Sequence, residues 1–151
     1  MQNQLIWQLK KFDELSTKEV YEILRLRSEV FVVEQACVFL DMDNLDFDSH
    51  HLQGRVDENL VAYVRILPPG LAYAEPSIGR VITSPAHRKV GAGIELMEKA
   101  VEKTISLYGK VPIMIGAQLY LKKFYEKFGF RKCSDVYMED GIEHIKMIRE
   151  V

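Results

Sequence analysis

Arg88, Gly91 and Gly93 stand just past Ser77-Ile78-Gly79-Arg80-Val81-Ile82-Thr83-Ser84-Pro85, a stretch apolar enough for a buried strand. Beyond them Ile94, Met97, Val101, Ile105 and Tyr108 form an apolar face at helical spacing, so the segment reads strand, glycine loop, helix. Glycines between a strand and a helix leave backbone N–H groups unpaired at the positive end of the helix dipole, which suits a phosphate or pyrophosphate. Spacing removes two such ligands. A dinucleotide fingerprint needs a third glycine where Leu96 stands, and a triphosphate loop needs Gly-Lys followed by Ser or Thr, which does not occur.

Other reactive side chains lie outside that stretch. Tyr125 shares a helical apolar face with Leu121, Phe124 and Phe128, and by itself reads as core. Glu34 ends an apolar helix segment among Val32, Val33 and Ala36, where burial would raise its pKa toward the range of a general base, or where it caps or salt-bridges. Glu75 shares a strand face with Ser77 if the strand extends that far. His50 and His51 are adjacent, so only one can face a given side. Arg80 sits in an apolar strand, where a cation needs an acid such as Glu34 or Asp43 or a route into a cleft; Arg27 and Arg65 raise the same question. No third ligand accompanies the histidines, so no metal is expected. Cys37 and Cys133 have no activating neighbour and read as buried, reduced thiols.

These groups must be positioned by the rest of the chain. Residues 5–12 alternate like a strand, and Ser16-Thr17-Lys18-Glu19 fits a capping box that opens a helix running to about 33–35. Residues 36–49 are too polar for a core element and too apolar for a linker, which predicts an ordered loop packed on something. Strands over 51–56 and 60–67 are joined by Asp57-Glu58-Asn59, and Pro68-Pro69-Gly70 ends the second. Pro112 to Gly116 is a short continuous apolar run suited to a strand buried on both faces. A helix over 121–128 follows, with Gly129 at the left-handed cap position. Strands over 130–139 and 144–148 finish the chain, joined through Asp140-Gly141.

The chain has 151 residues, 48% hydrophobic and 28% charged, which predicts one domain over 1–151. The net charge of −2, without a basic block, argues against nucleic acid. No charged-then-apolar leader or membrane-length apolar run is present, so a cytoplasmic location and no membrane partner are expected.

Arg88, Gly91 and Gly93 also follow the pattern Arg or Gln, two residues, Gly, one residue, Gly or Ala. After a strand ending in Pro85, this resembles the pyrophosphate loop of the Gcn5-related N-acetyltransferase (GNAT) superfamily, which uses acetyl-coenzyme A. The segment from Gln118 to Phe130, with Tyr125 four residues before Gly129-Phe130, resembles the superfamily's last helix. Further pieces are similar to the bacterial ElaA-type branch. They are Val30-Phe31-Val32-Val33-Glu34-Gln35 followed by Cys37, Ile78-Gly79-Arg80-Val81-Ile82, Gly116-Ala117-Gln118, and Tyr137 with Glu139-Asp140-Gly141-Ile142 and His144-Ile145. Together they cover most of the chain in order.

The resemblance implies an α+β fold, an α/β/α sandwich with a mixed, mostly antiparallel central sheet and helices on both faces. It implies an acetyl-CoA-dependent N-acetyltransferase that passes acetyl directly to a primary amine in a ternary complex; the alternative is a non-catalytic acyl-CoA-binding sensor or interaction module. On this analogy the backbone N–H of Val81 polarises the thioester carbonyl, and the strand Val81-Ile82-Thr83 pairs with the pantetheine arm. The amides of Arg88, Lys89, Val90, Gly91, Ala92 and Gly93 hold the pyrophosphate, and Tyr125 protonates the departing thiolate. Gln118 stands where many relatives carry an asparagine that contacts pantetheine, or caps locally. One branch carries a glutamate base eleven residues before the loop arginine, but Ser77 occupies that place, which leaves Glu34 and Glu75. The acids of 41–48 suit a basic small molecule, a lysine or an N-terminal amine, or form a solvated surface. Homodimers are common among relatives.

Overall fold

The computed structural model describes residues 4–151; the side chains of Lys89 and Val90, both expected in the cofactor loop, lie outside the description. Strand β1 (Ile6–Lys11) leads through a short turn to helix α1 (Thr17–Arg27). The capping box forms as its spacing predicts: Ser16 Oγ accepts from the Glu19 N–H at 3.1 Å, and Glu19 Oε1 accepts from the Ser16 N–H at 2.9 Å. The helix then widens into a π-helix (Ser28–Glu34) that carries the chain to its expected end. Strands β2 (His50–Val56) and β3 (Asn59–Leu67) form a hairpin whose tight turn holds Asp57 and Glu58 in left-handed conformation.

Strand β4 (Ser77–Thr83) is followed by a 3-10 turn (Pro85–Val90) and helix α2 (Ala92–Tyr108). Then come β5 (Ile113–Gln118), α3 (Lys122–Glu126), β6 (Phe130–Lys132), β7 (Tyr137–Glu139) and β8 (Ile142–Arg149). The expected strand over 130–139 is two strands. Lys132 opposes Met147 and Tyr137 opposes His144, so two extra residues bulge out between them. The cause is local, because Ser134 Oγ takes the Lys146 N–H at 2.8 Å in place of a ladder carbonyl.

The sheet runs β1-β2-β3-β4-β5-β8-β6, with β7 also on β8, and only the β4–β5 pair is parallel. It is the mixed, mostly antiparallel sheet that was expected. On one face Ile23, Leu26 and Val30 of the first helix pack on Tyr63 and Ile82. On the other, α2 contributes Leu96, Met97, Ala100 and Val101 to a core with Leu52, Val64, Ile78, Ile115, Ile145 and Met147, joined by Tyr125 and Phe130.

Two departures from a regular sheet shape the molecule. In β4, Ile82 opposes Tyr63 while Gly79 opposes Arg65, so β4 carries one extra residue there, with Arg80 at φ 53°. Ile78 and Ile82, an even number apart, therefore face opposite cores. The second is that β4 and β5 share a single register pair among the described residues, Ser77 with Met114, and then part.

Candidate active site

The parting of β4 and β5 opens a cleft of about 700 Å³ lined by both strands, the π-helix, α3 and the β7–β8 turn. Strand alternation shows that it passes through the sheet. Ile113, Ile115 and Ala117 of β5 and Ile145 and Met147 of β8 point into the α2 core, so Gly116, Gln118, His144 and Lys146 face the α1 side. Tyr125 belongs to the α2 core yet lines the same cleft.

Val81, Ile82 and Thr83 line the cleft along the part of β4 that β5 leaves unpaired. Ile82 sends its side chain into the α1-side core, while Val81 packs toward the α2 side. Arg88 to Val90 complete the 3-10 turn, and Gly91 adopts φ 75° at the start of α2, a conformation that glycine takes without strain. Ala92 and Gly93 are already helical. The N-cap residue is Gly91, which has no side chain to cap with, and the first-turn amides have no intrahelical partners.

Tyr125 is 7% exposed and packs edge-on against Phe124 and Phe130. Burial raises its pKa well above the ordinary phenol value, with Tyr120 adding to the rise, so it stays protonated at neutral pH. Gln118 exchanges two amide hydrogen bonds with Gln35 at the end of the π-helix, at 3.2 and 3.3 Å.

The two candidate bases differ in their placement. Glu34 lies at the mouth, exposed, with its carboxylate gripped by the Arg88 guanidinium at 2.7 Å through Nη1. That bond lowers its pKa, the reverse of what burial among apolar neighbours would do, and realises the salt-bridge alternative. Glu75 is not among the residues that line the cleft, because the strand begins only at Ser77. Pro76, which has no N–H to donate, precedes it.

The arginines find acids: Arg80 meets the expected Asp43 at 3.4 Å, while Glu34 goes to Arg88. Asp41 accepts from Arg27 Nε and from Arg80 Nε, each at 2.7 Å. Asp46 accepts from Arg27 at 2.6 Å and from Arg65 at 3.1 Å, and Asp43 from Arg65 at 2.8 and 2.9 Å. Asp41 and Asp46 carry no local signal in the sequence; only their loop's mixed composition marks them. His51 is buried between the Tyr63 hydroxyl, 2.7 Å from Nδ1, and the Asp46 carbonyl, 3.0 Å from Nε2. Neither His50 nor His51 lines the cleft.

Sequence reasoning missed Tyr73 and named Tyr137 only among the family-like pieces; the two phenol oxygens come together beside Gly116. A Cβ added at Gly116 would lie 3.0 Å from Tyr137 Oη and 3.1 Å from Tyr73 Oη. A lone glycine in an apolar strand is a sign of such close approach.

The cleft thus passes through the sheet beside the N-terminus of α2, with the buried Tyr125 phenol in its wall. The family model for the acetyltransferase (GNAT) domain matches residues 16–151, and the chain belongs to this family. It is 47% identical over 146 residues to the UPF0039 protein sll0451 of Synechocystis, covering 96% of this chain and 95% of that one. It is 44% identical over 147 residues to protein ElaA of Escherichia coli, covering 96% of each. Among solved structures, an acyl-CoA N-acyltransferase from Pseudomonas aeruginosa superposes with a TM-score of 0.92 at 42% identity, covering 97% of this chain and 99% of that one. Escherichia coli ElaA gives 0.91 at 42% identity, covering 97% and 100%. Family membership supports an acyl-CoA-dependent acyltransferase activity. Among the described residues no helix is long and apolar enough to cross a membrane.

Proposed function

We propose that the protein transfers acetyl from acetyl-coenzyme A to a primary amine, in the cytoplasm, by direct attack in a ternary complex. The observation that carries this reading is one cleft holding three features: the edge of Val81 to Thr83 that β5 leaves unpaired, the first-turn amides that follow Gly91, and the protonated Tyr125. The Val81 N–H would donate to the carbonyl oxygen as negative charge develops there, and the loop amides with Gly93 would hold the pyrophosphate. Tyr125 would donate its proton to the departing sulfur. Gln118 would meet the pantetheine once its bonds to Gln35 give way.

Glu34, held ionised by Arg88, suits anchoring the loop better than taking a proton from an amine. Titration calorimetry with acetyl-coenzyme A, followed by a thiol-release assay over a panel of primary amines, tests the reading. Binding with release on at least one amine is the expected outcome. Binding without release on any amine would make the protein an acyl-CoA-binding module, and absence of binding would remove both readings.

A further inference from the structure

The α1 side of the cleft carries a second set of groups that the cofactor reading does not use. His144 opposes Gln118 in the β5–β8 ladder and stacks on Tyr137 with ring centres 5.8 Å apart. Its Nδ1 lies 2.8 Å from the Ile142 carbonyl oxygen, which only accepts, so Nδ1 carries the hydrogen. Nε2 is then the free nitrogen. It lies 3.4 Å from Glu139 Oε2, and a carboxylate also only accepts. The neutral ring thus turns a lone pair toward an anion, and the ring with a proton added becomes that anion's hydrogen-bond donor.

The other charged and titratable groups here are Glu139 and Tyr137 on β7, Asp140 in the turn, Lys146 on β8 and Tyr73 ahead of β4. Lys146 Nζ is engaged over the Tyr73 ring, 5.6 Å from its centre. The Cys37 Sγ donates to the Asp140 carbonyl at 3.1 Å and ties the turn to the 36–49 loop. Tyr125 belongs to the α2 side and Gly93 lies beside Phe124, whereas these groups stand on the α1 side, the face left to an amine that attacks directly.

We propose that His144 is the general base of the reaction, taking one proton at Nε2 from a primary alkylammonium acceptor that Glu139 and the hydroxyls of Tyr73 and Tyr137 hold. The inference rests on the acetyl-transfer reading. The N–H bond of the ammonium breaks and its electron pair stays on nitrogen, which then bonds to the thioester carbon. As the C–S bond breaks, sulfur takes the Tyr125 proton, and the nitrogen's second proton restores Tyr125 through solvent. His144 releases its proton to bulk water, so the sum is amide, thiol and one proton.

The test compares wild type, His144→Gln and Glu139→Gln with two kinds of acceptor. Alkylammonium probes are a lysine-containing peptide, putrescine and phenethylamine; methoxyamine is weakly basic, unprotonated at neutral pH, and needs no proton removed before attack. For His144→Gln we expect unchanged acetyl-coenzyme A binding, a loss of about 100-fold or more in kcat on the alkylammonium probes, much less on methoxyamine, and loss of the acid limb of the pH profile. Equal losses on both kinds of acceptor, or none, would overturn the assignment while leaving acetyl transfer intact. Should His144→Gln fail to bind the cofactor, Glu139→Gln at its exposed position decides: a roughly tenfold rise in KM for the alkylammonium probes alone supports the proposal, and unchanged KM overturns it. Wild type that binds cofactor but releases thiol with no amine would overturn the function and this inference together.

Discussion

Tyr125 and Gly116 have opposite requirements of their surroundings. Tyr125 suits the proposed acid role if its hydroxyl stays protonated, and burial favours that, so Tyr125→Phe keeps the ring contacts with Phe124 and Phe130 and removes only the proposed acid. The expected result is a kcat lower by about 100-fold or more with cofactor affinity unchanged, read by steady-state kinetics and calorimetry. Gly116 is useful for what it lacks. Gly116→Ala pushes against two phenol oxygens at 3.0 and 3.1 Å, so the Tyr73–Tyr137 pair must shift. A loss of about 1 kcal/mol in stability is expected by urea denaturation, with a larger KM for the amine than for the cofactor. The helix that carries Tyr125 and the strand, glycine loop and helix around Gly91 were legible in the sequence because their spacing is local, while the role proposed for Tyr125 came from the family resemblance. His144, Glu139, Tyr73 and Gly116 were not legible as a site, since three strands and a loop bring them together only through pairing registers.

Among elements, the 36–49 loop shows how charge can do the work of a core. Three aspartates of the loop meet arginines from α1, β3 and the β4 bulge, and Arg27 is fully buried. Asp41→Ala would leave Arg27 and Arg80 each short of an acceptor, and breaking such a buried pair costs about 3–5 kcal/mol. The measurement is the denaturant midpoint; a loss below about 1 kcal/mol would mean that water or Asp46 takes over. That this loop is ordered follows from its mixed composition, but which arginine meets which aspartate does not. The β4 bulge was equally hidden, because one extra residue leaves no periodic trace in a seven-residue strand.

Across the whole molecule, the shifted carboxylates and histidines that titrate below pH 7 act in one direction. Burial alone would raise Asp43 and Glu19, yet the bonds to Asp43 from Arg65, and those to Glu19 from the Ser16 N–H, Gln53 and Lys10, bring each down to about 2 from ordinary values of 3.8 and 4.5. His50 and His51 are lowered from 6.5, chiefly by burial. In each case the unfolded chain binds a proton at a pH where the folded chain does not, so stability rises with pH. The histidine contribution is complete above pH 6.5 and is lost progressively as the pH falls below it; the carboxylate contribution is complete above about 4.5 and fades toward about 2. Urea midpoints measured from pH 7 downward should fall throughout, most steeply below about 4.5. A flat profile between pH 7 and 3 would contradict these environments.

The single rung between Ser77 and Met114 divides the sheet into two ribbons, β1 to β4 and β5 to β8, that share almost no ladder. What joins them is the layer of α2 and α3 side chains pressed across both. Amide exchange should therefore resolve two cooperative units, each protected by its own antiparallel pairing and each able to open while the other stays closed. A ligand that bridges the ribbons acts as a splint, and the slowest amides on either side of the gap should slow further together when it binds.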